Sequence, residues 1–466
     1  MPKTASPSIA ARLLSPTVLL LVLLGIVALG GGSARADVSS LVYLRPLSVL
    51  LAALAIAKFP AGKFPAYKSW IVLLVATLAL LLIHMVPLPP ALWQALPGRG
   101  LLAEIDQAAG LGDIWRPLSF DPLMTRNAMW SMAVPIAALF LAMRLDDRGI
   151  DRSLLAVLAV GLASGLLGVM QFASGSNSPI YLYNITNNGF AVGFLANRNH
   201  QGVFLASLFP LLAAYAVLGR KDGRDRNVRF VGSAGVAAMF IPMILATSSR
   251  AGLTAAVIGI AGAIAIAWPQ LRKPTTARSG ARRSKLWLYA LAAGIFVALS
   301  LALVGLTQGN SFTRLVEGDG EDPELRWQFW KTSVDAAEIF FPLGAGLGSF
   351  VKVFQIFEPD QLLDFSYVNH AHNDYVELLL DGGIPALALA LAALVLVSRD
   401  GWRVWRAKTN HPRVLLARAA FVGLLIFALA SAVDYPLRTP LLAAIACIFV
   451  IWLRRGALSV GRPISA

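Results

Sequence analysis

The densest chemistry in the chain lies in Asn369-His370-Ala371-His372-Asn373-Asp374-Tyr375-Val376-Glu377-Leu378, closed by Asp381-Gly382-Gly383-Ile384-Pro385. This block holds two of the five histidines. An imidazole takes up a proton near neutral pH, so it suits activation of a hydroxyl nucleophile. Asn373 or Asp374 can cap a short helix over 374–380, ended by Gly382 and Gly383. His372 then stands immediately before a helix N-terminus. A loop histidine is more often a plain surface residue, and the spacing leaves both His370 and His372 open as the base. Asp374, Glu377 and Asp434 are the carboxylates available to orient it. His-x-His can also begin a metal site, but no further histidine or cysteine cluster completes one on that side, and no metal or cofactor is expected.

Three other polar clusters stand out: Asn197-Arg198-Asn199-His200, Ser248-Ser249-Arg250, and Asp434-Tyr435-Pro436-Leu437-Arg438. An arginine at a span end can simply snorkel to phospholipid headgroups. The functional reading is recognition of phosphate, because a guanidinium offers a rigid fork of donors and stays charged. Two such forks can hold a diphosphate. Asn197 and Asn199 add donors around Arg198, and Arg250 sits between two apolar runs with almost no loop, where an unpaired charge is costly. Arg326 and Arg438 are weaker candidates, each able to make a salt bridge or meet a headgroup.

These residues need elements to position them, and the composition says what kind. The 466 residues are 57% hydrophobic and 14% charged, against about 25% charged in soluble domains. Repeated apolar runs predict an all-α integral membrane protein with twelve spans, at about 15–33, 41–57, 69–88, 127–143, 153–173, 197–219, 230–247, 251–269, 286–307, 384–398, 414–433 and 439–453. The second, with Arg45 and Pro46 near its start, and the short twelfth are the weakest. Cys447 is the lone cysteine, so no intramolecular disulfide is possible.

The net charge of +15 is distributed as a topology, which argues against nucleic acid as its partner. With the N-terminus cytoplasmic, the inner segments hold 28 of the 40 basic residues, as the positive-inside rule requires. Both termini are then inside, and all four polar clusters fall at outer span ends, where they can converge on one site. Residues 1–36 also resemble a signal peptide ending in Ala34-Arg35-Ala36, although the long apolar stretch favours an uncleaved first span.

The chain divides into N-terminal spans over 1–189, a central region over 190–385 that contains one large outer loop at 308–383, and C-terminal spans over 386–466. Within the loop, Asp322 can cap a helix with Pro323 at its first position, running to about Phe341 and suited to the bilayer interface. The glycines of Pro342-Leu343-Gly344-Ala345-Gly346-Leu347-Gly348 lack the strand–turn–helix spacing of a dinucleotide fingerprint.

The histidine block, with its Gly-Gly-Ile-Pro end, resembles the signature of the O-antigen ligase and O-antigen polymerase superfamily. Gly193 to Asn199, Ser248 to Leu253, and the run from Arg326 through Trp330 to Gly348 agree with it, covering about 190 to 385. The resemblance implies a membrane glycosyltransferase of the C type. Such an enzyme passes a glycan from undecaprenyl diphosphate to an acceptor hydroxyl at the periplasmic face of the bacterial inner membrane, using no nucleotide sugar, metal or cofactor. Carried over by position, Arg198 and Arg250 bind the diphosphate, with Arg326 less securely matched. His372, directly before Asn373, is the acceptor base, and His370 is secondary. Asn199, Asn373, Asp374, Asp434 and Arg438 support them. Gly382-Gly383 departs from the usual acidic residue before glycine, which bears on loop shape.

Two acceptors fit this chemistry: lipid A-core, for a ligase, and a growing glycan on its lipid carrier, for a polymerase of O-antigen or exopolysaccharide. A transporter or flippase would instead need charges buried in mid-span and paired broken helices.

Overall fold

The structure is a computed structural model that describes residues 13–218, 223–271, 323–363 and 367–461. The protein is mostly helical. The helices are α1 (Pro16–Gly30), α2 (Leu41–Ala57), α3 (Phe64–Met85), α4 (Gly100–Ala108), α5 (Pro122–Ser131), α6 (Ala133–Arg144), α7 (Asp147–Ser174), α8 (Arg198–Val217), α9 (Gly223–Ala246), α10 (Arg250–Leu271), α11 (Pro323–Ile339), α12 (Phe350–Phe357), α13 (Asp374–Arg406), α14 (Pro412–Ala430) and α15 (Pro440–Ser459). Among the described residues, the only sheet is a two-residue pairing, β1 (Pro87–Leu88) antiparallel to β2 (Arg116–Pro117).

Nine helices of the described residues are long and apolar enough to cross a membrane, and α1 and α2 are shorter apolar helices. Eleven of the twelve expected spans therefore meet a helix, and the remaining one, the ninth at 286–307, lies outside the described residues. The span expected at 384–398 is the second part of a longer helix. Gly383, at φ 56° and ψ −150°, breaks α13 into a short leading helix and the span proper. A side chain cannot follow it there, because a Cβ on Gly383 would stand 2.1 Å from the Pro342 carbonyl oxygen.

The bundle is organised around α8. A helix that is apolar all round belongs in an interior, and from Val203 to Leu212 every α8 residue is buried. α10, α9 and α14 pack directly on it. Its closest neighbour is α10, where Gly202 and Gly252 face each other: a Cβ on either would come within 2.9 Å of the other's Cα. Small residues let membrane helices approach in this way.

The two ends of the bundle differ. At one end, basic side chains tie segments together. Arg454 meets the buried Asp400, Arg413 meets Asp147 and Asp151, and Lys63 donates to the carbonyl of Met143. At the other end a cap has its own small apolar core, including Phe340, Phe350, Phe354, Ala371 and Leu380. Backbone bonds join its parts, Phe120 N–H donating to the Ala345 carbonyl and Ala345 N–H to the Leu380 carbonyl, and Leu347 N–H fastens it to the bundle by donating to Nδ1 of His84 on α3. The helix expected from Pro323 to about Phe341 is α11, although its proposed cap, Asp322, lies outside the described residues.

Candidate active site

Asn373 sets the position of the histidine block. Its side-chain oxygen accepts from the N–H groups of Tyr375 and Val376, so α13 begins at Asp374, as expected from the sequence. The start of α13 is docked on the end of α14 by Asp374 N–H to the Ser431 carbonyl, 2.8 Å, and Tyr375 hydroxyl to the Ala428 carbonyl, 2.9 Å. Ala371 is fully buried in the cap core and its N–H donates to Oε2 of Glu377. A small residue between two histidines is what this burial demands.

The two histidines then turn to different carboxylates. Nδ1 of His370 lies 2.9 Å from Oε1 of Glu377. Nδ1 of His372 lies 3.3 Å from Oδ1 of Asp434. His372 adopts φ 52°, a left-handed conformation that is uncommon for a non-glycine residue and is held only where surroundings over-determine it. Ser248, beside the second arginine cluster, is the other non-glycine residue with positive φ among those described.

Asp434 is buried at the centre of a polar network. Its Oδ2 accepts from the Asn199 side-chain amide at 3.0 Å, and Asn199 in turn accepts from the Ser249 hydroxyl at 2.8 Å. Oδ1 accepts from the N–H of Tyr435 and lies 3.6 Å from Nε2 of His200. Burial alone would raise the Asp434 carboxyl, but His200 and His372 hold it well below the usual carboxylate range. The Tyr435 ring packs against three imidazoles, with centroids 5.0 Å from His200, 4.3 Å from His370 and 5.1 Å from His372. A second ionic group adjoins: Arg438 pairs with Asp374 at 2.7 Å and with Glu377 at 2.9 Å.

A cavity of about 640 Å³ opens onto this network. His200, His372 and Tyr435 form one wall, Asn187 and Asn197 another, and Phe329 and Tyr367 add aromatic surface. Residues 32–35 complete it, and Arg35 contributes a guanidinium that donates to the Tyr367 hydroxyl at 2.7 Å.

Residues 234–391 match the family model for O-antigen ligases. Over this stretch, about a third of its length, the chain is similar to O-antigen ligases. The match opens inside α9 and ends within α13. It takes in Arg250, Arg326 and both histidines, whereas Arg198, Asn199, Asp434 and Arg438 lie outside it. No curated protein matches the chain.

Of the residues singled out in the sequence, the fold therefore joins Asn199, His372 and Asp434 directly, and Asp374 with Arg438. The arginines are placed by helix starts. Arg198 and Arg250 are the first residues of α8 and α10, and the Asn199–Ser249 bond puts those two N-termini side by side. Arg198 is buried with its guanidinium 4.3 Å from the Phe190 ring centroid, and its N–H donates to the Asn187 side chain. Arg250 is exposed. Arg326 is half-buried on α11, one turn before the cavity residue Phe329. Four residues at or beside the cavity were given no role of their own: His200 and Tyr435, noted only as members of polar clusters, and Arg35 and Tyr367. The only signal for the first two was adjacency, to Asn199 and Asp434. Arg35 was hidden by its place in a stretch that reads as a cleavage site.

Proposed function

We propose that the chain is a glycosyltransferase of the C type that moves a glycan from undecaprenyl diphosphate to an acceptor hydroxyl on lipid A-core. It acts at the periplasmic face of the bacterial inner membrane and uses no metal or cofactor. The observation that carries this reading is His372 on the wall of the cavity, its Nδ1 turned to the buried Asp434. That orientation leaves Nε2 for the acceptor. The hydroxyl oxygen attacks the anomeric carbon of the donor sugar while His372 takes its proton. The bond from that carbon to the phosphate oxygen breaks, and undecaprenyl diphosphate leaves with the electron pair. Asp434 steadies the imidazolium that forms, as a carboxylate behind a histidine does in other hydroxyl-activating sites.

The leaving diphosphate needs positive charge in place before it departs. Arg198 and Arg250 supply two guanidinium groups, and the paired N-termini of α8 and α10 add backbone N–H groups and the positive ends of their dipoles. Arg326 is the third candidate for this role. His372 is preferred to His370 because His370 is committed to Glu377, which Arg438 also holds. The basic character of the opposite end of the bundle supports a cytoplasmic assignment for that end, and hence a periplasmic one for the site.

The test uses purified protein in detergent, undecaprenyl-diphosphate-linked glycan, and chelator throughout. One tube receives lipid A-core and the other only more donor. A single size shift of lipid A-core is the expected result. A ladder on the lipid carrier in the second tube would make the chain a polymerase instead. No product in either tube, with His372→Ala behaving as wild type in cells, would overturn the transferase reading.

A further inference from the structure

We propose that His200 is a positioning residue for the transfer, sharing the Asp434 carboxylate with His372 and thereby keeping His372 in the neutral form that a base needs. The proposal rests on the reading of His372 as base.

His200 is the third residue of α8 and only 1% exposed. Buried histidines ordinarily spend at least one ring nitrogen on a hydrogen bond. Among the described residues, neither nitrogen of His200 has a hydrogen-bond partner. Its Nε2 instead stands 3.6 Å from Asp434 Oδ1, the oxygen that lies 3.3 Å from His372 Nδ1. The two imidazole nitrogens are therefore no more than about 7 Å apart, on either side of one carboxylate. Both rings line the same cavity, and both pack edge-on to Tyr435.

One carboxylate carries one negative charge and can balance one imidazolium. Asn199 and the Tyr435 N–H already occupy two of its acceptor positions. A charge on His200 opposes a second charge on His372, and at this separation in a partly dry site the opposition is worth about one pH unit or more. The lone pair on His372 Nε2 then stays available at lower pH than it would with Asp434 alone. The other charged and titratable groups nearby are Arg35 and Tyr367 on the cavity wall, His370 across Tyr435, the adjoining Asp374, Glu377 and Arg438, Arg198 on the same helix, and Arg250 at the head of the helix packed against it. The substitutions leave all of these in place.

With five histidines in the chain, the imidazole nitrogen signals of the full-length protein in detergent micelles are assignable by single His→Gln changes. In His200→Gln the His372 midpoint is expected about one pH unit higher than in wild type. The acid limb of kcat/KM should move up by the same amount while KM stays put. His200→Asn should act in the same direction and serves if the glutamine variant folds poorly. A His372 midpoint that stays within about 0.2 pH unit of wild type, or falls, overturns the proposal, as does a rise in KM with an unmoved acid limb. A wild-type protein that transfers no glycan, but whose His372 midpoint still responds to His200→Gln, would sink the transferase reading and leave this coupling standing.

Discussion

The two ends of the bundle both pair carboxylates with basic groups, yet they choose different partners. Away from the cavity, Asp400 meets Arg399 and Arg454, and Asp147 meets Arg413 and Arg455. Every partner there is an arginine, charged at any working pH. At the cavity end, Asp434 meets two histidines and Glu377 meets a histidine and an arginine. Of those partners, only imidazole can change charge near neutrality, whereas Arg438 stays charged. The cavity end also holds the left-handed His372 and Ser248. Arginine pairs of fixed charge fasten helices. A carboxylate aimed at imidazole, on a strained backbone beside a cavity, is an arrangement for moving a proton.

This contrast is open to breakage, beginning with the largest expected effect. His372→Ala should lower transfer by about 10²–10⁴-fold with protein levels unchanged, measured on purified protein with lipid-linked donor. Near-normal turnover would remove the proton-moving reading of the cavity end. Arg198→Lys and Arg250→Lys should each cost about 10²–10³-fold, because a lysine keeps the charge but loses the planar fork. Equal activity of the lysine variants would mean that charge alone matters.

Asp434→Asn is a finer probe. It should reduce the rate by roughly tenfold to a hundredfold. It should also move the acid limb to lower pH, since loss of the negative charge disfavours protonated His372. That direction is opposite to the one expected for His200→Gln. At the far end, Asp400→Asn should destabilise the fold by about 3 kcal/mol, seen as a lower thermal midpoint in detergent, because Arg454 loses its buried partner. Transfer per folded molecule should not change. Arg413→Gln should shift stability by no more than about 0.5 kcal/mol, since Asp147 and Asp151 are largely exposed. A loss of catalysis from either far-end change would blur the distinction between the ends.

The spans were legible because lipid imposes length and apolarity on each helix by itself. α2 starts and stops where the apolar run does, even with Arg45 and Pro46 inside it. The cap of α13 was legible for the same local reason: an asparagine before a helix accepts the first N–H groups whatever lies around it. What hid were facts about distance in space. Nothing in the sequence near His200 says that Asp434, more than two hundred residues later, will lie against it. The amphipathic α12 was masked by the glycine run before it, yet it supplies Phe350 and Phe354 to the cap core. The histidine pair read as one site and folded into two environments, since the burial of Ala371 between them sends the rings to different carboxylates.

The wall made by residues 32–35, with Gly31 beside it, carries one more consequence. Gly31 offers its carbonyl to Leu441 N–H, and Gly32 offers its own to Ala196 N–H while its N–H reaches the Tyr183 hydroxyl. The cavity is thus stitched between segments made early and late on the ribosome. Ala196 and Tyr183 hold Gly32 within the first half of the chain, and the bond from Leu441 to Gly31 joins the last described helix to the residue beside this wall.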